Sequence, residues 1–476
     1  MKVQTNLLSD ANSLYLSNGV RIELNTQQLE ALTHIKQFLK STSKIFVLSG
    51  HAGTGKTTVI KKILDNYGGK AVVSAPTNKA LQVISQTAMF DGVTIHSLLG
   101  LQPDVSLDDF NPNEPQFGQV KPSTIQDYNL IVIDEASMIN DALFDLIQDE
   151  IDNLAKVKII FMGDKAQLPP IAQELSKVFH YDTIYHRELT TLVRQSEHNP
   201  LIASYNSLRD NIDNEEFQLD FTTNINSQGE GVVALESKEE FRAKLIELFA
   251  SKEYKENINH AKLIAWRNKT VNQSNSIIRD IVFGETKKVI LKGDILTGYR
   301  TVKGTRAVPF FVNNCIDYRV SAVSRRQKNS HGLYGYSVKI LEKAKFLKGF
   351  EEKKVFILDH EDEENLHNYA ELHDTLVNVA KADKKQWTAY YNFRRDNLLM
   401  LNVANYRSGI PREKGKQISK DLDYGYAVTC HKVQGSTYDH VFILAKDILL
   451  NRNYKERNQM LYVALTRPKY SAIVLK

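Results

Sequence analysis

The stretch Gly50-His51-Ala52-Gly53-Thr54-Gly55-Lys56-Thr57 matches the pattern G-x-x-x-x-G-K-[ST] at every defined position. It follows the apolar run Ile45-Phe46-Val47-Leu48 and opens a helix expected over residues 57–64. Strand, glycine-rich turn and helix, in that order, are the context this pattern requires. Its physical basis is direct. Glycines let backbone N–H groups turn inward on phosphate oxygens, and the helix N-terminus adds a favourable dipole. Lys56 is positioned to reach the β- and γ-phosphates of ATP, and the Thr57 hydroxyl to ligate Mg²⁺. Gly50, Ala52, Gly53, Thr54, Gly55 and Thr58 complete the expected cofactor-binding set.

Short apolar runs rich in β-branched residues recur on both sides of this loop. Residues 71–73, 130–133 and 157–162 read as strands buried on both faces of a parallel sheet. Their alternation with helical segments predicts an α/β domain. The run Leu130-Ile131-Val132-Ile133 ends in Asp134-Glu135. With a phosphate loop upstream, Asp134 is the expected second Mg²⁺ ligand. Glu135 is the expected group that polarises an attacking water, which favours hydrolysis over phosphoryl transfer to another substrate.

The chain has 476 residues, more than one hydrophobic core usually supports. Its apolar share of 42% and charged share of 25% are those of a globular protein rather than a disordered one. A net charge of +5 is compatible with a nucleic-acid partner but too small to argue for one by itself. The two cysteines, Cys315 and Cys430, belong to no CxxC pair or Cys/His cluster, so neither a zinc site nor a disulfide framework is expected. Free thiols, no signal-peptide layout and no apolar run approaching about 20 residues give the expectation of a cytoplasmic protein without a membrane contact.

Two stretches interrupt the α/β pattern. Residues 102–123 are rich in Pro, Asp, Asn and Gln, with Phe110 and Phe117 isolated among them. They read as a protruding loop or hairpin, with a plain surface loop as the alternative. A second α/β pattern starts near Val193, with a strand over 261–266 and a helix over 270–280. It is interrupted from about 287 to 420 and resumes with strands at 426–429, 441–444 and 472–475. Strand-like pieces at 289–291, 316–320, 335–341 and 355–359 suggest a small β-barrel, followed by a charged helical region over 361–392. Around Trp387, basic residues and aromatics interleave. That spacing suits single-strand binding, and equally a helix face packed on the barrel.

Beyond the phosphate loop and the acid pair, ordered motifs run along nearly the whole chain. They are Asn25-Thr26-Gln27-Gln28, Ala75-Pro76-Thr77-Asn78-Lys79-Ala80, Thr94-Ile95-His96-Ser97 and Gly163-Asp164-Lys165-Ala166-Gln167-Leu168-Pro169-Pro170. Downstream come Leu192-Val193-Arg194-Gln195, Trp266-Arg267-Asn268-Lys269-Thr270, Thr429-Cys430-His431-Lys432-Val433-Gln434-Gly435-Ser436-Thr437 and Tyr462-Val463-Ala464-Leu465-Thr466-Arg467. In this order they resemble superfamily 1 helicases, and within them the 1B branch that includes the phage Dda helicase and the RecD-like enzymes.

The resemblance implies two tandem RecA-like P-loop domains, each with an insertion. The first would span 1–192, with a pin-like hairpin over 101–125. The second would span 193–286 and 421–476, with an SH3-like barrel and helical extension over 287–420. It implies that Gln28, with Gln27 as rival, reads the adenine edge, that Gln167 senses the γ-phosphate, and that Gln434 and Gly435 lie near the nucleotide. Arg194 and Arg467 become arginine fingers, which would set ATP in a cleft between the two motor domains. Pro76, Thr77, Thr94, His96, Ser97, Asn268, Thr429, His431, Lys432 and Ser436 become contacts to single-stranded DNA. Phe110 and Phe117 become candidate wedges at a single-strand/duplex junction, and Trp387 a further contact.

The activity implied is ATP-dependent 5′-to-3′ DNA unwinding by a monomer, in company with single-strand-binding or replication proteins. A protein-stripping translocase and an RNA helicase are the alternatives. Replication, recombination and repair all remain open as its setting.

Overall fold

A computed structural model of the chain describes residues 13–15, 21–103, 116–170, 173–182, 185–193, 199–304, 310–343, 350–404 and 417–476. By its contacts the chain divides into two units, 1–100 with 121–199, and 101–120 with 200–476.

The first unit is built on a six-stranded sheet. Its order is His186–Leu189, Ile45–Gly50, Lys158–Gly163, Leu130–Ile133, Ala71–Ala75 and Gly92–Thr94. Every neighbouring pair is parallel. All six residues of Ile45–Gly50 and all four of Leu130–Ile133 are buried, as expected of strands covered on both faces. Helix Thr26–Lys40 starts in a reciprocal capping box between Asn25 and Gln28, and buries Ala31, Leu32, Ile35 and Phe38. Helix Lys56–Asp65 buries Val59, Ile60, Ile63 and Leu64 in the same core.

Because the sheet is all-parallel, the carboxyl ends of its strands share one edge. The phosphate loop follows Gly50 there, Asp134 follows Ile133, Asp164 follows Gly163 and Pro76 follows Ala75. In open α/β sheets this is the edge where ligands bind.

The second unit contains a parallel sheet and an antiparallel one. The parallel sheet runs Gly231–Leu235, Pro468–Leu475, Tyr438–Leu444, Ala261–Ala265, Ala427–Thr429, with Asn224–Ile225 added antiparallel at one side. The antiparallel sheet runs Gln327–Lys328, Tyr334–Lys343, Asp317–Val323, Ile295–Gly298, Leu422–Tyr424, and Phe350–Leu358 also pairs with Tyr334–Lys343. Its core holds Leu296, Tyr318, Val320, Val338, Ile340 and Ile357. Helices Glu363–Ala382 and Trp387–Asp396 pack together, with the Tyr369 and Phe393 rings stacked 5.1 Å apart.

Residues 289–291, expected as a strand, are not one. Val289 and Ile290 are buried, but Asp294 accepts from the Leu291 N–H at 2.6 Å and turns the chain there. The pair therefore fills the core from a turn. The antiparallel sheet also takes in Leu422–Tyr424, beyond the interruption expected to end at 420.

Buried charges join the two sheets of this unit. Lys262, on strand Ala261–Ala265 next to the edge of the parallel sheet, is fully buried. Its Nζ donates to Asp317 Oδ2 at 3.0 Å and to the Gly425 carbonyl at 2.6 Å. Arg279 donates to both oxygens of Asp294 at 2.8 and 3.0 Å, and the Tyr426 hydroxyl donates to the same carboxylate at 2.8 Å. In each case a charge on one sheet or its flanking helix has its counter-charge on the other. The desolvation cost is offset only while both partners are present.

Candidate functional site

The phosphate loop adopts the conformation its glycines permit. Gly50, Gly53 and Gly55 have φ of 158°, 83° and 78°. A Cβ on Gly50 would come within 2.4 Å of the Leu189 carbonyl, and one on Gly55 within 2.3 Å of Gln28 Nε2. Helix Lys56–Asp65 begins at Gly55 with no side-chain cap and no acid in its first turn. The other long helices of this unit are capped by Asn25, Thr77 and Asn140. The positive end of this one helix is left to an external anion, so the loop fits a phosphate chain.

Lys56 folds back over the loop, donating to the carbonyls of Gly50 at 2.8 Å and His51 at 2.9 Å. Its ammonium thus lies at the loop it is expected to serve. Thr54 is fully buried and donates to the His51 carbonyl at 2.9 Å. Thr57 and Thr58 are half-buried on the first turn, as is Ala52 in the loop.

The acid pair sits where its strand ends. The Asp134 N–H donates to the Ser74 carbonyl at 2.9 Å, which extends the pairing of Leu130–Ile133 with Ala71–Ala75 by one bond. Glu135 then takes the left-handed conformation, φ 53° and ψ 47°, one of three residues other than glycine with positive φ among the described residues. Strain of this kind costs of order 1–3 kcal/mol and concentrates at functional positions. Gln167 is buried, and its N–H donates to Asp164 O at 3.1 Å. The Asp164 carboxylate accepts from the Ala166 N–H at 3.1 Å and shapes the turn.

The two glutamines of the first motif are both engaged with backbone. Gln28 is buried, with Nε2 on the Thr54 carbonyl and Oε1 on the Asn25 N–H, each at 3.0 Å. Gln27 Oε1 accepts from the N–H groups of Thr190 and Thr191, both at 2.9 Å. Gln28 therefore braces the phosphate loop in this structure.

Among the expected nucleic-acid contacts of this unit, Thr77 caps helix Asn78–Ala88 through the Ala80 N–H at 3.2 Å, with Pro76 half-buried beside it. Thr94 caps the turn Ile95–Leu98 and its hydroxyl lies 2.9 Å from that of the exposed Ser97. Burial pushes the His96 pKa down. Arg194 and Phe110 lie outside the described residues. Phe117, which groups with the second unit, is exposed on strand Phe117–Gln119, paired antiparallel with Leu101–Pro103.

In the second unit Asn268 is exposed at the first turn of helix Asn268–Phe283. That turn is held from a distance. Asp447 accepts from the N–H groups of Trp266 and Arg267 at 2.8 and 2.9 Å, from Arg267 Nε at 2.6 Å and from the Thr270 hydroxyl at 2.6 Å. Thr429, Gln434 and Ser436 are buried, Gly435 has φ of 71°, and His431 lies exposed with Nε2 3.5 Å from Glu456. Lys432 Nζ donates to Asn314 Oδ1 at 3.3 Å.

Arg467 is buried. It donates to the carbonyls of Val463 at 3.0 Å and Ser436 at 3.3 Å, and to the Thr466 hydroxyl at 2.8 Å. Trp387, offered as a stacking platform, is instead core. It is 4% exposed and packs edge-on against Tyr390 beside Ala380, within the pair of helices rather than on the barrel. Sequence reasoning missed Asp447 altogether, since its partners lie some 180 positions upstream.

A phosphate loop at the edge of an all-parallel sheet, with an acid pair two strands away on the same edge, defines a P-loop nucleotide hydrolase. Residues 23–223 match the model of an AAA domain, and residues 424–475 that of a UvrD-like helicase C-terminal domain. The chain is 25% identical to the ATP-dependent DNA helicase dda of Enterobacteria phage T4, over 94% of this chain and 98% of that one. It is 29% identical to the ATP-dependent RecD2 DNA helicase of Deinococcus radiodurans, over 35% of this chain and 22% of that one. In fold it is similar to the Pif1 helicase of Candida albicans, with a TM-score of 0.51 at 18% identity, covering 96% of this chain and 94% of that one. The chain is thus similar in sequence to Dda- and RecD-like helicases and in fold to a Pif1 helicase. Among the described residues no helix is long and apolar enough to cross a membrane.

Proposed function

We propose that this chain is an ATP-hydrolysing DNA helicase that moves 5′ to 3′ on single-stranded DNA and separates duplex ahead of it. The observation that carries the nucleotide half is the uncapped helix behind a glycine loop, with Lys56 laid over that loop. Thr57 and Asp134 would hold Mg²⁺, which supplies charge neutralisation for the phosphates. Glu135 orients water and Gln167 senses the γ-phosphate. Arg467 is the arginine that adds positive charge at the transferring phosphoryl group.

The DNA half rests on kinship with helicases of this kind and on the exposed positions of Ser97, Asn268, His431 and Phe117 at motif ends and on the hairpin. The hairpin formed by Leu101–Pro103 and Phe117–Gln119 takes the part of a pin. The antiparallel sheet takes that of the family's SH3-like barrel. A strand-displacement assay with ATP and Mg²⁺ tests the reading, comparing duplexes tailed at the 5′ or the 3′ end. Displacement from the 5′-tailed DNA is expected. Displacement only from the 3′ tail overturns the polarity, displacement only of RNA overturns the substrate, and ATP turnover without displacement leaves a translocase.

A further inference from the structure

On the antiparallel sheet of the second unit lies a groove of about 570 Å³, lined by no residue assigned above to nucleotide or DNA. Its floor is apolar: Ile290 is buried, and Leu291, Val323 and Tyr336 are half-buried. Its rim is basic. Lys288, Lys292 and Arg325 are exposed there, and among the described residues no carboxylate lies within ion-pair distance of any of the three. Arg326, the fourth cation of the rim, is already neutralised. Its Nε donates to Asp359 Oδ2 at 2.6 Å, and its guanidinium also pairs with Asp362. The sheet edge is open at the same place. Strand Asp317–Val323 pairs with Ile295–Gly298 only through Asp317, Tyr318 and Arg319. The Val320 carbonyl then accepts from the Gly293 N–H at 2.8 Å, and the Val320 N–H donates to the Asp294 carbonyl at 2.9 Å. Beyond that point Ser321, Ala322 and Val323 have no described strand beside them on this side, and all three line the groove. An open strand edge is a template for another extended chain.

We propose that this groove docks a short extended segment of a partner protein, acidic and with apolar side chains between its acids. Successive side chains of an extended chain point to opposite sides, so apolar residues can enter the floor while carboxylates between them meet the rim. Three cations without counter-charges select for acid by charge complementarity. The volume lies within the usual range for a small-ligand site, about 300–1,000 Å³, which is room for a few side chains rather than a folded surface. A nucleic acid fits less well. Single strands are held by a continuous basic track with free ring faces for stacking. Here the cations surround one concavity, and the exposed Tyr334 ring beside it is covered by the Arg326 guanidinium, 4.2 Å from its centre. The floor of Ile290, Leu291 and Val323 offers nothing to a phosphate backbone. This inference does not depend on the DNA reading above.

The test is fluorescence anisotropy of a fluorescein-labelled seven-residue peptide of alternating glutamate and leucine, titrated with the full chain. The wild type is expected to bind it, and to bind a lysine/leucine peptide of the same length not at all. Lys292→Glu and Arg325→Glu should each weaken binding about 3- to 10-fold, the scale of one exposed charge pair lost and reversed, and the double variant more than either. Both residues are exposed, so both variants are expected to fold. Val323→Asp places a like charge on the floor and should weaken binding without touching the rim. An all-glutamate peptide should bind more weakly than the alternating one, since it leaves the floor unfilled. No binding by the wild type, or wild-type affinity in the Lys292→Glu/Arg325→Glu double variant, overturns the proposal. So does a blunt DNA duplex that displaces the peptide and loses affinity as steeply in the same double variant, which would give the groove to nucleic acid.

Discussion

Gln28 Nε2 donates to the carbonyl of Thr54 at 3.0 Å, so the amino-terminal helix and the phosphate loop are tied by one buried side chain. The other end of the amide closes the capping box on the Asn25 N–H. Gln28→Ala removes both bonds. The expected loss is about 1–2 kcal/mol, from a cap and one buried hydrogen bond. The KM for ATP should rise as the loop loses its brace. Thermal denaturation and ATP titration of the DNA-stimulated rate check this, and an unchanged KM would show that the tie is purely structural.

Arg467 is expected to behave as a group needed for turnover rather than for binding. Arg467→Ala should lower the ATP hydrolysis rate about 10³-fold, the scale of an arginine acting on a transferring phosphoryl group. Binding of a fluorescent ADP analogue should stay measurable. Since the guanidinium also satisfies the carbonyls of Val463 and Ser436, Arg467→Lys is the better control for folding. Full turnover in either variant would remove Arg467 from the reaction.

Asp447 makes a prediction about pH. Burial alone would raise its carboxyl pKa. The hydrogen bonds from Thr270, Arg267 and Trp266 outweigh burial and hold it below the ordinary aspartate value. A depressed folded pKa contributes stability that is complete above the unfolded pKa, about 3.9, and is lost as pH falls through the folded value. Asp447→Asn should therefore be less stable than wild type, by about 1.5–3 kcal/mol for lost bonds to a charged acceptor. That gap should be constant from neutral pH down to about 5 and close below about 4. Chemical denaturation across that range is the measurement; a gap that widens in acid would refute the assignment.

The Lys262–Asp317 pair predicts a particular non-additivity. Lys262→Met and Asp317→Leu each leave a buried charge without its partner, at an expected cost of about 3–5 kcal/mol. The double variant leaves no such charge. It should be more stable than the sum of the singles by about 1–3 kcal/mol. Additive losses in a double-mutant cycle would mean that water reaches the pair.

Much of this architecture was legible in the sequence where burial is continuous along the chain. Residues 45–48 and 130–133 are apolar without a break because both sheet faces are covered there. The strands His186–Leu189 and Gly92–Thr94 escaped notice because they lie at the ends of the sheet order, where half-exposed positions break the apolar signal. Residues 289–291 misled for the converse reason. Two buried β-branched residues look like a strand until Asp294 is seen bending the chain after them. Asp447 carries no local signal, because what it holds is distant in sequence and near only in the fold. Trp387 showed its chemistry but not its direction, since the same helical spacing serves a binding face and a packed one.

Glu135 holds a carboxylate in backbone geometry that a glycine would occupy without penalty. Folding and turnover thus place opposite demands on one position. Selection for heat tolerance alone would favour Glu135→Gly, gaining by relief of strain while losing the group proposed to orient water. A chain that keeps glutamate here has accepted a less comfortable turn as a condition of doing work.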